Sequence, residues 1–354
     1  MSIKFAGRCL IVLALGCPGL GAEPAPKPSR FEFAEPHMGS EFKLVLYTND
    51  EATARRASRK AFDRIAELDN ILSDYNNDSE LMRLCEKAGG APVPVSPDLF
   101  DVLSRSVSMY EQSEGAFDIT VAPVVRLWRR ARREIKLPTP DRIAQARALV
   151  GSDQLKLDPA SRTVQLRKKG MRLDAGGIGK GYAAFAAIET LKKEGYPIAL
   201  VAGSGDIAVG DPPPGRAGWT IGVAPLDASS PPKRHFLLAN GAVSTSGDAE
   251  KFVEIDGKRY SHIVDPRTGI GVIDRCSVTV VAPDGGLADS LDTAVYVLGP
   301  ERGLRLVESI PNTAAMIVRR TPLGDQTFES SRWKQLTPAP SPATPIETPT
   351  IRTP

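Results

Sequence analysis

The chain has 354 residues, 42% hydrophobic and 25% charged, the balance of an ordinary soluble globular protein. A formal charge of +3, with no Lys/Arg run interleaved with aromatics, argues against nucleic acid as a partner. Length permits two domains, but large α/β folds also reach this size as one unit.

The opening residues, MSIKFAGRCLIVLALGCPGLGAEP, set Lys4 and Arg8 ahead of an apolar run from Cys9 to Leu15. That run is too short to span a bilayer and has the shape of a secretory signal, so residues 1–22 are expected to direct export. Two exits fit. Cleavage near Gly21 or Ala22 would release a soluble periplasmic protein; alternatively ALGC resembles a bacterial lipobox, and a lipidated Cys17 would anchor the chain to the inner membrane. Only Cys85 and Cys276 remain in the body, as a pair or as two buried small apolar residues. The folded body is expected over residues 28–335, and the Pro/Thr-rich stretch 336–354 reads as a disordered or polyproline-like tail.

EFKLVLYT alternates like a strand and ends at the helix-capping pair Asn49-Asp50. The next stretch, 51–75, puts Ala61, Ile65, Leu68 and Leu72 on one face of a long amphipathic helix. Ser96 and Pro97 open a second helix. In EGAFDITVAPVVRLW, Phe117 and Trp128 can stack on a flat ring, though such aromatics also build cores. LDAGGIGKGYAAF, residues 173–185, follows a short strand (MRLD) and opens a helix, so its N–H groups and Lys180 can receive a phosphate. It is not a Walker A loop, because Gly181 stands where Ser or Thr is required; a plain strand-to-helix turn is the alternative.

That helix closes at Gly195 and leads into the buried strand PIALVAG, and VAGSGDIAVGD reads as a loop. VEIDGKRY is two β-type runs joined by Asp256-Gly257, a hairpin signal because both turn positions need φ > 0. Ser261 and His262 should ride the outgoing strand, and Asp265-Pro266-Arg267-Thr268-Gly269 should end it in a tight turn. SVTVVAP, ADSLDTAVYVLG, PERGLRLVESI and TAAMIVRR read as strand, helix, helix, strand. Asp289 and Thr293 lie four apart on one helix face with Asp292 beside it. Carboxylate and hydroxyl oxygens suit Mg²⁺, and a capped, solvated helix start is the alternative. The whole indicates an α/β or α+β body. A simple doubly wound sheet is disfavoured, because the hairpin at 252–264 needs a mixed or antiparallel sheet.

The ordered set MGSEF, LSDYNNDSEL, GAFDITVAPVVRLW, LDAGGIGKGYA, VSTSGDAEKFVEIDGKRYSHIVDPRTG and ADSLDTAVYVLG resembles the ApbE family of FAD:protein FMN transferases, from Met38 to about Gly303. The resemblance implies an ApbE/T-fold-like architecture of mixed sheets with packed helices. It also implies an Mg²⁺-dependent enzyme that moves the FMN half of FAD onto a Ser or Thr hydroxyl of a target flavoprotein, releasing AMP. FAD contacts are implied at Met38, Tyr75, Ala116, Phe117, Asp118, Asp174, Lys180 and Ile263. A metal set is implied at Gly177 (through its backbone carbonyl), Asp289, Asp292 and Thr293. His262 is then the expected general base, since an alcohol attacking a diphosphate must lose a proton, and an imidazole of free pKa about 6.5 suits neutral pH.

The chain departs from the family pattern at Ser204 in GSGD, where many relatives carry a second glycine, and in the glycine-rich GGIGKG. Two other readings stand beside transfer: hydrolysis of FAD to FMN and AMP, and an exported protein that only holds FAD. With no Ser/Thr-Gly-Ala-Thr stretch in this chain, the acceptor is expected to be another protein.

Overall fold

A computed structural model describes residues 28–227, 229–249, 251–340 and 351–352; the leader with Cys17 and most of the expected tail lie outside the described residues. Cap chemistry sets the helix boundaries. Asp50 accepts from the Thr53 N–H at 2.8 Å and starts α1, Glu51–Leu72. Ser79 does the same for α2, Glu80–Glu86, and Ser96 for α3, Pro97–Gln112, with Pro97 in the first turn as the sequence indicates. Then come α4, Ala122–Glu134; α5, Pro140–Arg147; α6, Gly179–Lys193; and α7, Gly285–Ser309. Gly299, at φ 75 and ψ 177, breaks α7 ahead of Pro300 into the two helical pieces read from the sequence.

The main sheet has nine strands in the order Gly324–Glu329, Ala314–Thr321, Cys276–Ala282, Gly241–Gly247, Asp206–Val209, Ala199–Gly203, Ser40–Thr48, Ser29–His37 and Ile351–Arg352. Neighbours are antiparallel except the last pair, so the sheet is mixed rather than doubly wound. Period-two alternation sends Phe42, Leu44 and Leu46 to one face, against Phe62, Ile65 and Leu68 of α1 and the alanine-rich side of α6. Burying each of these large side chains contributes roughly 1.5–3 kcal/mol. The opposite face, with Val45, Val209, Val243 and Val281, lies under the ribbon Trp219–Gly222/His235–Leu238 and Trp333.

Several expectations are corrected. MRLD is not a strand: Leu173 donates its N–H to Cys85 Sγ and Asp174 to the Ile119 carbonyl, so these groups pair with no ladder partner. VAGSGDIAVGD is not a loop but a tight hairpin, Ala199–Gly203 pairing with Asp206–Val209 across Ser204-Gly205, with Ser204 at φ 58. The hairpin at 252–264 is antiparallel and turns at Asp256-Gly257 (φ 51 and 71) as expected, and it forms its own two-stranded ribbon outside the main sheet. The first long helix stops at Leu72, three residues short of the expected end, because Ser73 leaves helical geometry and its hydroxyl accepts from the Tyr75 and Asn76 N–H groups. Thr337 and Ala339 hydrogen-bond to the His235–Leu238 strand, so the start of the Pro/Thr-rich stretch belongs to the fold. Cys85 and Cys276 are both buried and unpaired with each other.

Candidate active site

The close crossing of α6 and α7 builds one side of the site. A Cβ on Gly181 would stand 2.2 Å from the Gly285 carbonyl oxygen, and one on Gly285 would stand 2.0 Å from that of Gly181. Only glycine fits at both points. The crossing sets Lys180 of α6 beside Asp289 of α7, whose Oδ2 accepts from the Gly181 N–H at 3.0 Å. The Ser204-Gly205 hairpin then delivers Asp206, with Oδ2 3.0 Å from Lys180 Nζ. From the strand Gly241–Gly247, Ser246 Oγ donates to Asp292 Oδ1 at 2.9 Å and lies 3.4 Å from Thr293 Oγ1. Ser244 Oγ sits 2.6 Å from both Asp206 Oδ1 and Asp292 Oδ2. One hydroxyl hydrogen cannot serve both contacts, so a carboxyl proton completes this string.

Asp206, Asp289 and Asp292 are buried, at 2%, 4% and 1% exposure, around a single ammonium. Asp206 and its neighbours hold the Lys180 pKa well above the ordinary lysine range. Burial, then the nearby Asp206, pushes the Asp289 carboxyl up to about 7. Burial, then Asp289 and Asp206, pushes Asp292 well above the carboxylate range. This is a cleft short of positive charge, not a solvated helix cap; the cap of α7 is Asp284, which accepts from the Leu287 N–H at 2.9 Å. Gly177 faces the same spot: a Cβ there would lie 3.0 Å from Thr293 Oγ1 and 3.4 Å from the Phe117 ring.

The ribbon supplies the opposite wall. His262 lies just past its second strand, Lys258–Ser261, rather than on it, and the Asp265–Gly269 turn closes a separate short ribbon, Val264–Asp265 with Ile270–Gly271, instead of ending that strand. Gly269 and Arg267 donate their N–H groups to the Asp265 carbonyl and carboxylate at 2.8 and 2.9 Å, and Trp128 Nε1 donates to the Gly269 carbonyl at 2.9 Å. Both the His262 backbone N–H and Nδ1 reach the Lys251 carbonyl oxygen at 3.0 Å. A carbonyl only accepts, so Nδ1 carries the hydrogen and Nε2 keeps its lone pair. Burial, then the Lys251 ammonium, pushes the imidazole down to about 4, so it is neutral at physiological pH.

Every site residue singled out from the sequence lines one cavity of about 1080 Å³: Met38, Tyr75, Ala116, Phe117, Asp118, Asp174, Gly177, Lys180, His262, Ile263, Asp289, Asp292 and Thr293. They differ in what their side chains can still do. Met38, at the Met38-Gly39 hairpin turn, is held by its N–H donating to Asp69 Oδ2 at 2.8 Å. Phe117 and Trp128 are core as well as wall. The Asp118 carboxylate is already spent on the fold, accepting from Thr120 N–H and Oγ1 and from Ser152 Oγ at 2.7–2.8 Å, so it shapes the wall rather than offering a free ligand group. Asp206, Ser244, Ser246, Asp69 and Arg129 line the cavity too and were missed. A signal existed for two regions, since GSGD and VSTSGD stood out in the sequence, but nothing local tied them to Lys180 or Asp292.

Residues 38–317 match the model of the ApbE family. The FAD:protein FMN transferase of Klebsiella pneumoniae (strain 342) is 32% identical over 320 residues, covering 88% of this chain and 91% of that protein. The FAD:protein FMN transferase of Treponema pallidum (strain Nichols) is 32% identical over 301 residues, covering 80% and 83%. Among solved structures, the apo form of the flavinyl transferase ApbE of Pseudomonas stutzeri superposes with a TM-score of 0.79 at 29% identity, over 90% of this chain and 100% of that one. The flavin transferase ApbE of Vibrio cholerae gives a TM-score of 0.77 at 26% identity, over 87% and 99%. With its motifs gathered on one cavity and its whole body matched by these proteins, the chain belongs to the ApbE family.

Proposed function

We propose that this protein is an FAD:protein FMN transferase. The acceptor hydroxyl oxygen attacks the phosphorus of the FMN half of FAD, the bond to the AMP oxygen breaks, and AMP leaves. The observation that carries this reading is the pairing, in one cavity, of a neutral imidazole with a lysine-and-carboxylate cleft. A cavity of about 1080 Å³ lies just above the usual range for ligand pockets, roughly 300–1000 Å³, and suits a dinucleotide.

Each residue has a physical task. His262 Nε2, left free by the Nδ1 bond to Lys251, takes the proton of the attacking hydroxyl. Anionic diphosphate beside the ring favours the imidazolium and so strengthens this base once substrate is bound. Lys180, fixed by Asp206, offers its ammonium to the phosphate oxygens. Gly177 by its carbonyl, Asp289, Asp292 and Thr293 form an oxygen-only set in a cleft short of positive charge, which fits Mg²⁺. Bound there, Mg²⁺ would neutralise diphosphate charge. The leader sequence supports placing the reaction outside the cytoplasm, on an exported acceptor.

The test is incubation with FAD and Mg²⁺, with and without a flavoprotein acceptor carrying a Ser/Thr target. AMP and a fluorescent acceptor band, both requiring the acceptor, are expected. AMP released equally without acceptor would make the protein an FAD hydrolase, and no AMP at all would make it a binder.

A further inference from the structure

Helix α4 carries five arginines, Arg126, Arg129, Arg130, Arg132 and Arg133, and nothing in the sequence separates one from the rest. The fold does. Arg129 lies one turn along from Val125 on the α4 face that lines the cavity, and its guanidinium meets three wall residues from two other segments. Nη1 is 2.5 Å from Asp74 Oδ2, and Nη2 is 3.0 Å from Asp174 Oδ2. Its Cζ stands 4.5 Å from the centroid of the Tyr75 ring. Tyr75 is nevertheless 78% exposed, so the ring face away from the guanidinium is open to a second flat partner.

We propose that Arg129 is a positioning residue that sets the affinity and charge selectivity of the nucleotide site. This rests on the FAD reading given above. Two effects act together. The guanidinium backs Tyr75 and presents its free face for stacking by a ring of the ligand, a cation–π arrangement that holds an otherwise exposed side chain in place. It also neutralises Asp74 and Asp174, whose side chains are 13% and 9% exposed on the wall of a cavity that must admit a diphosphate. Without it, two partly buried carboxylates would face an anion, where low dielectric magnifies repulsion. The remaining Asp174 oxygen accepts from the Gly176 N–H at 2.8 Å, so Arg129 also steadies the glycine-rich turn that leads to Lys180.

The experiment titrates FAD and riboflavin separately into wild type, R129Q and R129K, by quenching of flavin fluorescence, alongside melting curves and steady-state transfer. R129Q should weaken FAD by about tenfold or more and riboflavin distinctly less, because only FAD brings the diphosphate that the unmasked carboxylates repel. R129K keeps the charge but not the planar fork, so it should restore the wild-type preference for FAD over riboflavin while binding both less tightly. In transfer, KM for FAD should rise while kcat stays within about threefold, the split expected of lost ground-state binding. R129Q binding FAD as tightly as wild type would overturn the proposal. So would an equal loss of both ligands, which would make Arg129 a brace of the fold and nothing more. Wild type failing to bind FAD would overturn the flavin reading itself, and this assignment with it.

Discussion

The two walls of the cavity are built by different physics. The α6–α7 wall is core: glycines let two helices touch, three carboxylates are buried, and Lys180, Asp289 and Asp292 each meet a partner on another element. The ribbon wall is an edge: a two-stranded hairpin outside the main sheet, packed by Val253, Ile255 and Tyr260 against Trp128 and Val124 of α4 and aligned by turn chemistry, the Trp128 hydrogen bond and the Lys251 carbonyl. The first is suited to holding fixed charge, whose cost of burial only a packed core can sustain. The second is suited to handling a proton that must come and go with an acceptor. Binding and proton transfer should therefore be separable by mutation.

The largest effect should come from emptying the core wall. On the proposed reading, a chelator abolishes transfer and added Mg²⁺ restores it; full activity in chelator would remove the metal from the account. Next, Gly181→Ala should force α6 and α7 apart, since the new Cβ would meet the Gly285 carbonyl oxygen at 2.2 Å. A cost of about 1–3 kcal/mol in denaturant unfolding is expected. FAD and Mg²⁺ affinity should fall with it, whereas unchanged affinity would show that the helix crossing does not set the cleft.

A subtler effect follows from the raised Asp289 carboxyl. With its pKa lifted to about 7, the cleft takes up a proton as pH falls below that value, and a cation must displace it. The Mg²⁺ requirement should thus climb as pH drops from 7 toward 5, by at most about tenfold per unit, and level off above about 8. A requirement flat across that window would separate Asp289 from the cation. The smallest effect belongs to the ribbon turn. Gly257→Ala, at φ 71 with open space around it, should cost roughly 1 kcal/mol of stability from backbone strain alone. Transfer should slow modestly while FAD and Mg²⁺ affinities stay put; a loss of affinity instead would mean the two walls are coupled.

What the sequence makes legible is local. Asp50, Ser96-Pro97, Asp256-Gly257 and the Asp265–Gly269 turn each carry their own geometry, and each appears as read. Strand MRLD fails because alternation is necessary but not sufficient: no partner strand reaches it, and Cys85 Sγ takes its N–H instead. The candidate site is legible largely through family resemblance, and the residues that resemblance does not reveal share a property. Asp206 and Ser244 meet Asp292 of α7 only through the order of strands in the main sheet; Arg129 and Arg132 share the face of α4 that lies against the cavity, and Arg129 alone of the pair is placed against Asp74 and Asp174. The imidazole is likewise legible as a base but not as a depressed one, since burial and Lys251 are tertiary facts.

The claim that the ribbon carries the proton and the core carries the charge is tested most directly by His262→Ala, measured for transfer and for FAD and Mg²⁺ binding in one preparation. Transfer should fall by roughly 10²–10⁴-fold, the span of a lost general base, with both affinities and the melting temperature close to wild type. A variant that transfers FMN at a near-normal rate would contradict the account, and the proton acceptor would have to be sought among the buried carboxylates.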